Sequence, residues 1–387
     1  MATKSKTVEN SDKTKKAHKD NADKKQFWNN DMEAIIGIMV VLLILGTINV
    51  FSSSFILGET EFDNPYFFLQ RHLINVAVSL IAFGVCFRYD YHVWRRFMPH
   101  ILALSFISLI LVLVVGDTVN GAKRWLSYGG INVQPAELCK LVSIIIMANY
   151  LSWRIKHSKP IEIFTPQMGI VVALFALTEL EPDMGTASII AGIPVIMLIV
   201  SGLERKKVGY MLGGVLVLAA LLIAYQPYRL DRLKVVFDPW SDAQNVGYQT
   251  VQSLSAIGSG ELTGMGLGVG VSKYDYLPEA HTDFAFAIFC QENGFLGAIF
   301  VFMLFAAFAV YAARIARIAR DEYGQILAMG IMILIVGQAI GNLFMVGGMF
   351  PVVGIPLPFI SYGGTSLIVT MAAVGMLVNI GRRGKKK

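Results

Sequence analysis

The chain has 387 residues, 55% of them hydrophobic and only 16% charged, against roughly 25% charge in an ordinary soluble domain. A mean hydropathy of +0.58 likewise excludes a soluble globular enzyme and points to a polytopic membrane protein. The net charge of +6 gathers in the N-terminal tail, the short loops and the C-terminal RRGKKK, which suits anchoring at a cytoplasmic membrane face and excludes nucleic acid as a partner. Cys86, Cys139 and Cys290 lie scattered in apolar runs, which makes neither a disulfide framework nor a zinc site.

Residues 1–31 are polar, carry eight lysines and read as a disordered, basic cytoplasmic tail. The first apolar run, 34–56, is long enough to span a bilayer and too long for the apolar part of a signal peptide, so it reads as a retained first helix. With it, ten apolar runs can be marked: 34–56, 72–87, 98–115, 136–153, 168–180, 184–202, 207–225, 284–312, 326–347 and 360–381. A spanning helix needs about 20 residues. The stretch 168–202 is too long for one and is broken by Glu181-Pro182-Asp183.

Loop charge supports that split. With the tail inside, the inner loops hold Arg88, Arg95, Arg96, Arg154, Lys156, Lys159, Arg205, Lys206, Lys207, Arg314, Arg317 and Arg320, and the short outer loops hold only Arg71, Lys123 and Arg124. Merging the two runs would turn every later Arg-rich loop outward, against the positive-inside rule. The expectation is an all-α polytopic membrane protein. It has ten transmembrane helices over 32–381, both termini cytoplasmic, a short basic tail at 382–387, and one large extracytoplasmic loop, 226–283, between helices 7 and 8.

The first half of that loop mixes charges with aromatics and could form short surface helices. Its middle, GSGELTGMGLGVG, has six glycines in thirteen residues and cannot be a stable helix. It is neither a P-loop nor a dinucleotide fingerprint, and by composition it reads as a mobile connector. Its end, KYDYLPEAHTDF (273–284), places Asp275, Glu279, His281 and Asp283 within nine residues and runs into an apolar helix. Asp283 stands where water gives way to lipid. A carboxylate there can be partly desolvated and so made more basic. Asp275, earlier in the loop, reads as a solvated and poorer base. His281 is either a proton shuttle or simply a polar loop residue.

Other candidates have two readings each. Glu137 and Lys140 share one helix face after Pro135. They form either a structural ion pair or part of a polar cavity, since charges within a membrane are costly. Lys123 and Arg124 beside Trp125 could hold a phosphate at the interface, or snorkel next to an interfacial tryptophan. Glu181 and Asp183 are either a solvated turn or acids that share a metal or an arginine with Asp283. Gly337 and Gly341 suggest a helix contact, and Gln338 and Asn342 interhelical hydrogen bonds.

Seven motifs occur in order: NGAKRW (120–125), QPAELCK (134–140), EPDMGT (181–186), DPW (238–240), GYQ with QSLSAIGSG (247–260), YLPEAHTDF (276–284) and PLPFISYGGTS (356–366). Through them the sequence resembles the SEDS family (shape, elongation, division, sporulation) of the FtsW/RodA type. The resemblance implies a ten-helix enzyme of the bacterial plasma membrane that polymerises peptidoglycan glycan strands from lipid II. It implies a cognate class B penicillin-binding protein as partner, together with divisome or elongasome proteins and membrane lipid.

The family's essential acid falls on Asp283, and its Glu and Lys fall on Glu137 and Lys140. Lys123, Arg124, Trp125, Asp183, Glu279 and His281 are the further substrate-binding candidates. The leaving pyrophosphate needs cations or a metal; no cofactor is implied with certainty, and a divalent ion, Mg or Mn, stays open. Ala136, Glu261, Gly270, Thr365 and Cys290-Gln291 depart from the family pattern without removing a charged motif residue. Ala280 and NGAKRW lean to the division branch and hence to the septum. The alternatives are an elongation or sporulation paralogue with the same chemistry, or a lipid II flippase.

Overall fold

The computed structural model describes residues 3–119, 121–128, 131–270, 272 and 277–384; for 3–30 it describes the backbone alone. Asn120 and Lys273–Tyr276, including Asp275, therefore lie outside the described residues.

The chain is a polytopic helical membrane protein. Eight of its helices are long and apolar enough to cross a membrane: α1 (Thr3–Phe62, apolar over Asp31–Phe62), α2 (Phe67–Arg88), α3 (Tyr91–Val115), α4 (Pro135–Lys156), α7 (Arg205–Tyr225), α10 (Ala285–Ile318), α11 (Glu322–Val346) and α12 (Gly364–Arg382). Two shorter apolar helices, α5 (Pro166–Leu180) and α6 (Met184–Val200), flank the Glu181–Asp183 break. Each of the ten apolar runs is thus a helix of its own. The backbone continues helical through 3–30 ahead of the apolar span.

Burial sorts the helices. α4 and α12 are enclosed over 72% of their most apolar stretch, whereas α7 is enclosed over only 6%. α4 therefore forms the spine, packed by α3, α6 and α11, and α12 lies against α2. Helix starts follow local chemistry. Asp90, Thr165, Asp183 and Asp321 accept from backbone N–H groups of the first turns of α3, α5, α6 and α11. Pro135 and Pro166 stand in the first turns of α4 and α5, where no intrahelical donor is lost.

Between α3 and α4 the helical fold also carries a small sheet. It is a three-stranded antiparallel sheet, β1 (Asp117–Val119), β2 (Ala122–Tyr128) and β3 (Ile131–Val133). In the sequence, the Asn-Gly and Gly-Gly dipeptides at 120–121 and 129–130 stand between β-favouring runs, a hairpin signature.

The large loop carries α8 (Pro227–Phe237), a short 3-10 helix (Pro239–Asp242) and α9 (Tyr248–Ser259). Its glycine-rich middle is not a free connector. α10 kinks at Gly294, where φ is 64°, and the loop fills the break. Phe295 N donates to Glu261 O (2.9 Å) and Leu296 N to Leu262 O (3.1 Å). In return Met265 N donates to Gln291 O (3.0 Å) and Gly266 N to Glu292 O (3.1 Å). Backbone groups freed by the kink are satisfied by the loop, which fastens it to the helix.

Candidate active site

One cavity of about 1750 Å³ is bounded by α2, the small sheet, the start of α4, the 182–186 turn, α8, the 278–284 segment and the 351–369 segment. Of the sequence candidates it brings Arg124, Trp125, Glu137, Asp183, Glu279, His281 and Asp283 into one wall. Lys123 is exposed on β2 and is not among the lining residues.

Arg124 owes its placement to a bulge. Thr118 pairs with Lys123 and Asp117 with Trp125, which leaves Arg124 as the extra residue of β2. A bulge re-aims a side chain. Here the guanidinium reaches the 181–182 turn, with Nε donating to Glu181 O (3.2 Å) and an Nη donating to Pro182 O. The Glu181–Asp183 turn does share an arginine, but through its carbonyls. Nor is it a solvated turn, because Glu181 is fully buried and Asp183 nearly so. Asp183 caps α6 through Thr186 N (3.1 Å) and accepts from Gln134 Nε2 (2.7 Å). Among the described residues neither carboxyl oxygen of Glu181 has a hydrogen-bond partner. Desolvation, then the Asp183 charge, push its pKa up to about 8, with Arg124 opposing.

Lys140 and Glu137 are both buried, at 1% and 3% exposure, and their charged atoms meet at 2.7 Å. The structure resolves the two readings by combining them: the pair is a buried ion pair, and Glu137 also forms part of the cavity wall. Lys140 Nζ donates onward to Gln338 Oε1 (3.1 Å), whose amide donates to Pro356 O (2.9 Å). Gln338 thus makes the expected interhelical bond, between α4 and α11, and its amide and that of Asn342 also tie α11 to the 351–360 segment. Among the described residues a Cβ at Gly337 would meet nothing within 4 Å beyond its own helix, and one at Gly341 would meet Ile355 Cδ1 at 3.8 Å, so neither position needs glycine for a tight helix contact.

Asp283 is the focus of the wall. Asn342 Nδ2 donates to its backbone carbonyl (2.7 Å) and to Ile355 O (2.6 Å), which locks the 283 backbone to the 355 backbone. Among the described residues no side chain hydrogen-bonds its carboxylate, and Asp283 is half-buried. Desolvation, then Glu279 and Asp183, push its pKa up to about 7, with Arg124 opposing. Glu279, at φ 55°, accepts from Thr282 Oγ1 at 2.5 Å. His281 packs its ring against Phe68 (4.8 Å) and Tyr362 (5.6 Å). Desolvation lowers its pKa against the pull of Glu279, so the ring is neutral near pH 7.

Sequence reasoning missed Arg229 and Arg232, which bring α8 to the cavity, and Gly354, which abuts Asp283. The signal for the arginines was their spacing of three in PYRLDR, one face of a helix. Among the described residues no group of three His, Cys, Asp or Glu side chains is placed to hold a metal.

The fold and site define a polytopic membrane protein whose helices surround one deep, charged cavity centred on a desolvated carboxylate. A sequence model of the cell cycle protein family, the FtsW, RodA and SpoVE type, matches residues 32–386. Stage V sporulation protein E of Bacillus subtilis is 37% identical over 353 residues, covering 90% of this chain and 96% of that protein. A "probable peptidoglycan glycosyltransferase FtsW" of Geobacter sp. (strain M18) is 37% identical over 355 residues, with the same two coverages, 90% and 96%.

Among solved structures, a chain from a peptidoglycan synthase complex superposes with a TM-score of 0.72 at 25% identity, over 90% of this chain and 96% of that one. The rod shape determining protein RodA of Thermus thermophilus gives 0.66 at 23% identity, over 90% of this chain and 95% of its own, a likeness of fold. The chain belongs to the FtsW/RodA/SpoVE family, the SEDS proteins.

Proposed function

We propose that the protein is a peptidoglycan glycosyltransferase that polymerises lipid II, with Asp283 as general base. The observation that carries this reading is the Asp283 carboxylate itself: desolvated, raised to about 7, and without a hydrogen-bonding side chain among the described residues, in a cavity lined by arginines. Its carboxylate takes the proton of the acceptor sugar's 4-hydroxyl. The freed oxygen bonds to the donor's anomeric carbon, the bond from that carbon to the pyrophosphate oxygen breaks, and undecaprenyl pyrophosphate leaves with the electron pair. Arg124 balances the leaving charge. Glu137 and Asp183, each already held by a partner, shape the wall.

In this reading ten helices span the plasma membrane, both termini are cytoplasmic and 226–283 faces outward. The cognate class B penicillin-binding protein docks on the face of α11 that Gly337 leaves open. The division branch puts the protein at the septum. The test is polymerisation of lipid II by the purified protein with its partner. Glycan ladders from the parent and none from Asp283→Asn support the reading. Lipid scrambling without polymer would establish the flippase instead. A fluorescent fusion spread along the side wall, with no septal band, would move the protein to the elongation branch.

A further inference from the structure

We propose that Arg124 and Arg232 form the two arms of a diphosphate-binding clamp, one on the small sheet and the other on α8. The inference deepens the glycosyltransferase reading and rests on it for the identity of the substrate, but it can be tested by binding alone.

Four arginines line the cavity, and they are of different kinds. Arg229 is buried and ion-paired with Glu179, and it donates to Leu222 O (3.3 Å); its work is to hold α8 against α5. Arg71 lies over the Phe67 ring at 4.5 Å. Arg124 and Arg232 have no carboxylate partner among the described residues. Each instead donates to main-chain carbonyls of the wall, Arg124 to Glu181 and Pro182 and Arg232 to Val352.

Such bonds aim a guanidinium fork and leave its charge uncompensated. Val352 lies two residues before Gly354, which abuts the Asp283 carboxylate, so Arg232 is held beside the proposed base. Desolvation lowers the pKa of Arg232; Arg124 lowers it too, and Asp283 and Tyr228 raise it, so these groups sense one another's charge. Two forks that repel each other across a cavity are best neutralised by an anion that takes both. A diphosphate offers separate phosphates for bidentate contact. Lys123, exposed and outside the wall, is replaced in this role by Arg232.

The purified full-length protein in detergent is titrated with farnesyl diphosphate and with farnesyl monophosphate. The parent should prefer the diphosphate. Arg124→Gln and Arg232→Gln should each weaken diphosphate binding about 10- to 100-fold, the value of a charge-assisted hydrogen bond, while monophosphate binding changes less. Lys123→Gln should bind as the parent does. Arg232→Lys keeps the charge and loses the fork, so it decides the matter if Arg232→Gln fails to fold: it must narrow the preference for diphosphate. Parent-like diphosphate binding by a folded Arg232→Gln or, failing that, Arg232→Lys overturns the clamp. Arg232-dependent binding in a parent that makes no glycan would sink the glycosyltransferase reading and keep the clamp. Normal polymerisation with Arg232-independent binding would do the reverse.

Discussion

Gly354 and Asp283 abut in the cavity wall: a Cβ on Gly354 would stand 3.2 Å from Asp283 Oδ2, and Gly354 holds φ at 71°. The φ favours glycine and the contact leaves little room for a Cβ. Alanine at 354 would meet left-handed strain of about 1–2 kcal/mol and press on the carboxylate. The strain alone should lower the unfolding temperature modestly. The pressure on Asp283 should cut the polymerisation rate further than that, because a base displaced from reach loses most of its effect. Full activity of Gly354→Ala in a lipid II assay would show that the Asp283 position tolerates movement.

Two raised carboxyls give opposite pH trends for rate and stability. A base works deprotonated, so polymerisation should rise with pH and level off above about 7, the value to which Asp283 is pushed. Stability runs the other way. A carboxyl whose native pKa exceeds its unfolded one holds its proton more tightly when folded. Its contribution is therefore full below the unfolded value and is lost as pH rises through the native one. For Glu181 that window runs from 4.5 to about 8. Glu181→Gln removes the titration, so it should raise the unfolding temperature relative to the parent at about pH 9 and change it least at about pH 4. An identical shift at both pH values would rule out the ionisation as the cause.

The buried Lys140–Glu137 pair predicts a non-additive mutant cycle. Lys140→Ala leaves a carboxylate buried without its cation and should lose about 3–5 kcal/mol. It also frees Gln338, and with it the tie to Pro356. Glu137→Gln in the same chain removes the stranded charge and should recover part of that loss. Thermal unfolding of the two single variants and the double variant in detergent checks it. Strict additivity would mean that the two charges do not depend on each other.

Which parts of this architecture were legible follows from the range of the forces involved. Apolar runs and loop charge are local, and they yielded the ten helices and the break at Glu181–Asp183. The Glu137–Lys140 pair is local too, one helical turn apart. Arg232 meets Val352, 120 residues away, and no periodicity announces such a meeting. Sequence alone left Glu181 and Asp183 open between a solvated turn and a shared partner, because their burial depends on distant residues, Arg124 of the sheet and Gln134 at the start of α4. Hydropathy does not show the small sheet; its local signal is turn chemistry, the Asn-Gly at 120–121 between β-favouring runs.

The glycine-rich segment offers the most direct test of a loop that is fastened to its helix. Gly264 holds φ at 83°, and a Cβ there would collide with the carbonyl of Glu292 and lie 2.6 Å from Asn293 N. Gly268 holds nearly the same φ, 82°, with nothing within 4 Å. The two positions therefore separate conformational strain from docking. Gly268→Ala should lose about 1–2 kcal/mol, the left-handed strain alone. Gly264→Ala adds a backbone collision that pushes the loop off α10 and breaks the bonds by which the N–H groups of Met265 and Gly266 hold the kink. Each lost bond raises the loss by a further roughly 0.5–1.5 kcal/mol. The α10 stretch between Ala285 and the Gly294 kink directly follows Asp283, so losing the dock should also loosen the proposed base and slow polymerisation. Thermal unfolding and limited proteolysis of the two variants, side by side, measure the difference. Equal unfolding temperatures and equal cleavage in the 260–270 loop would mean that the loop is only strained, and that its bonds to the kink contribute nothing.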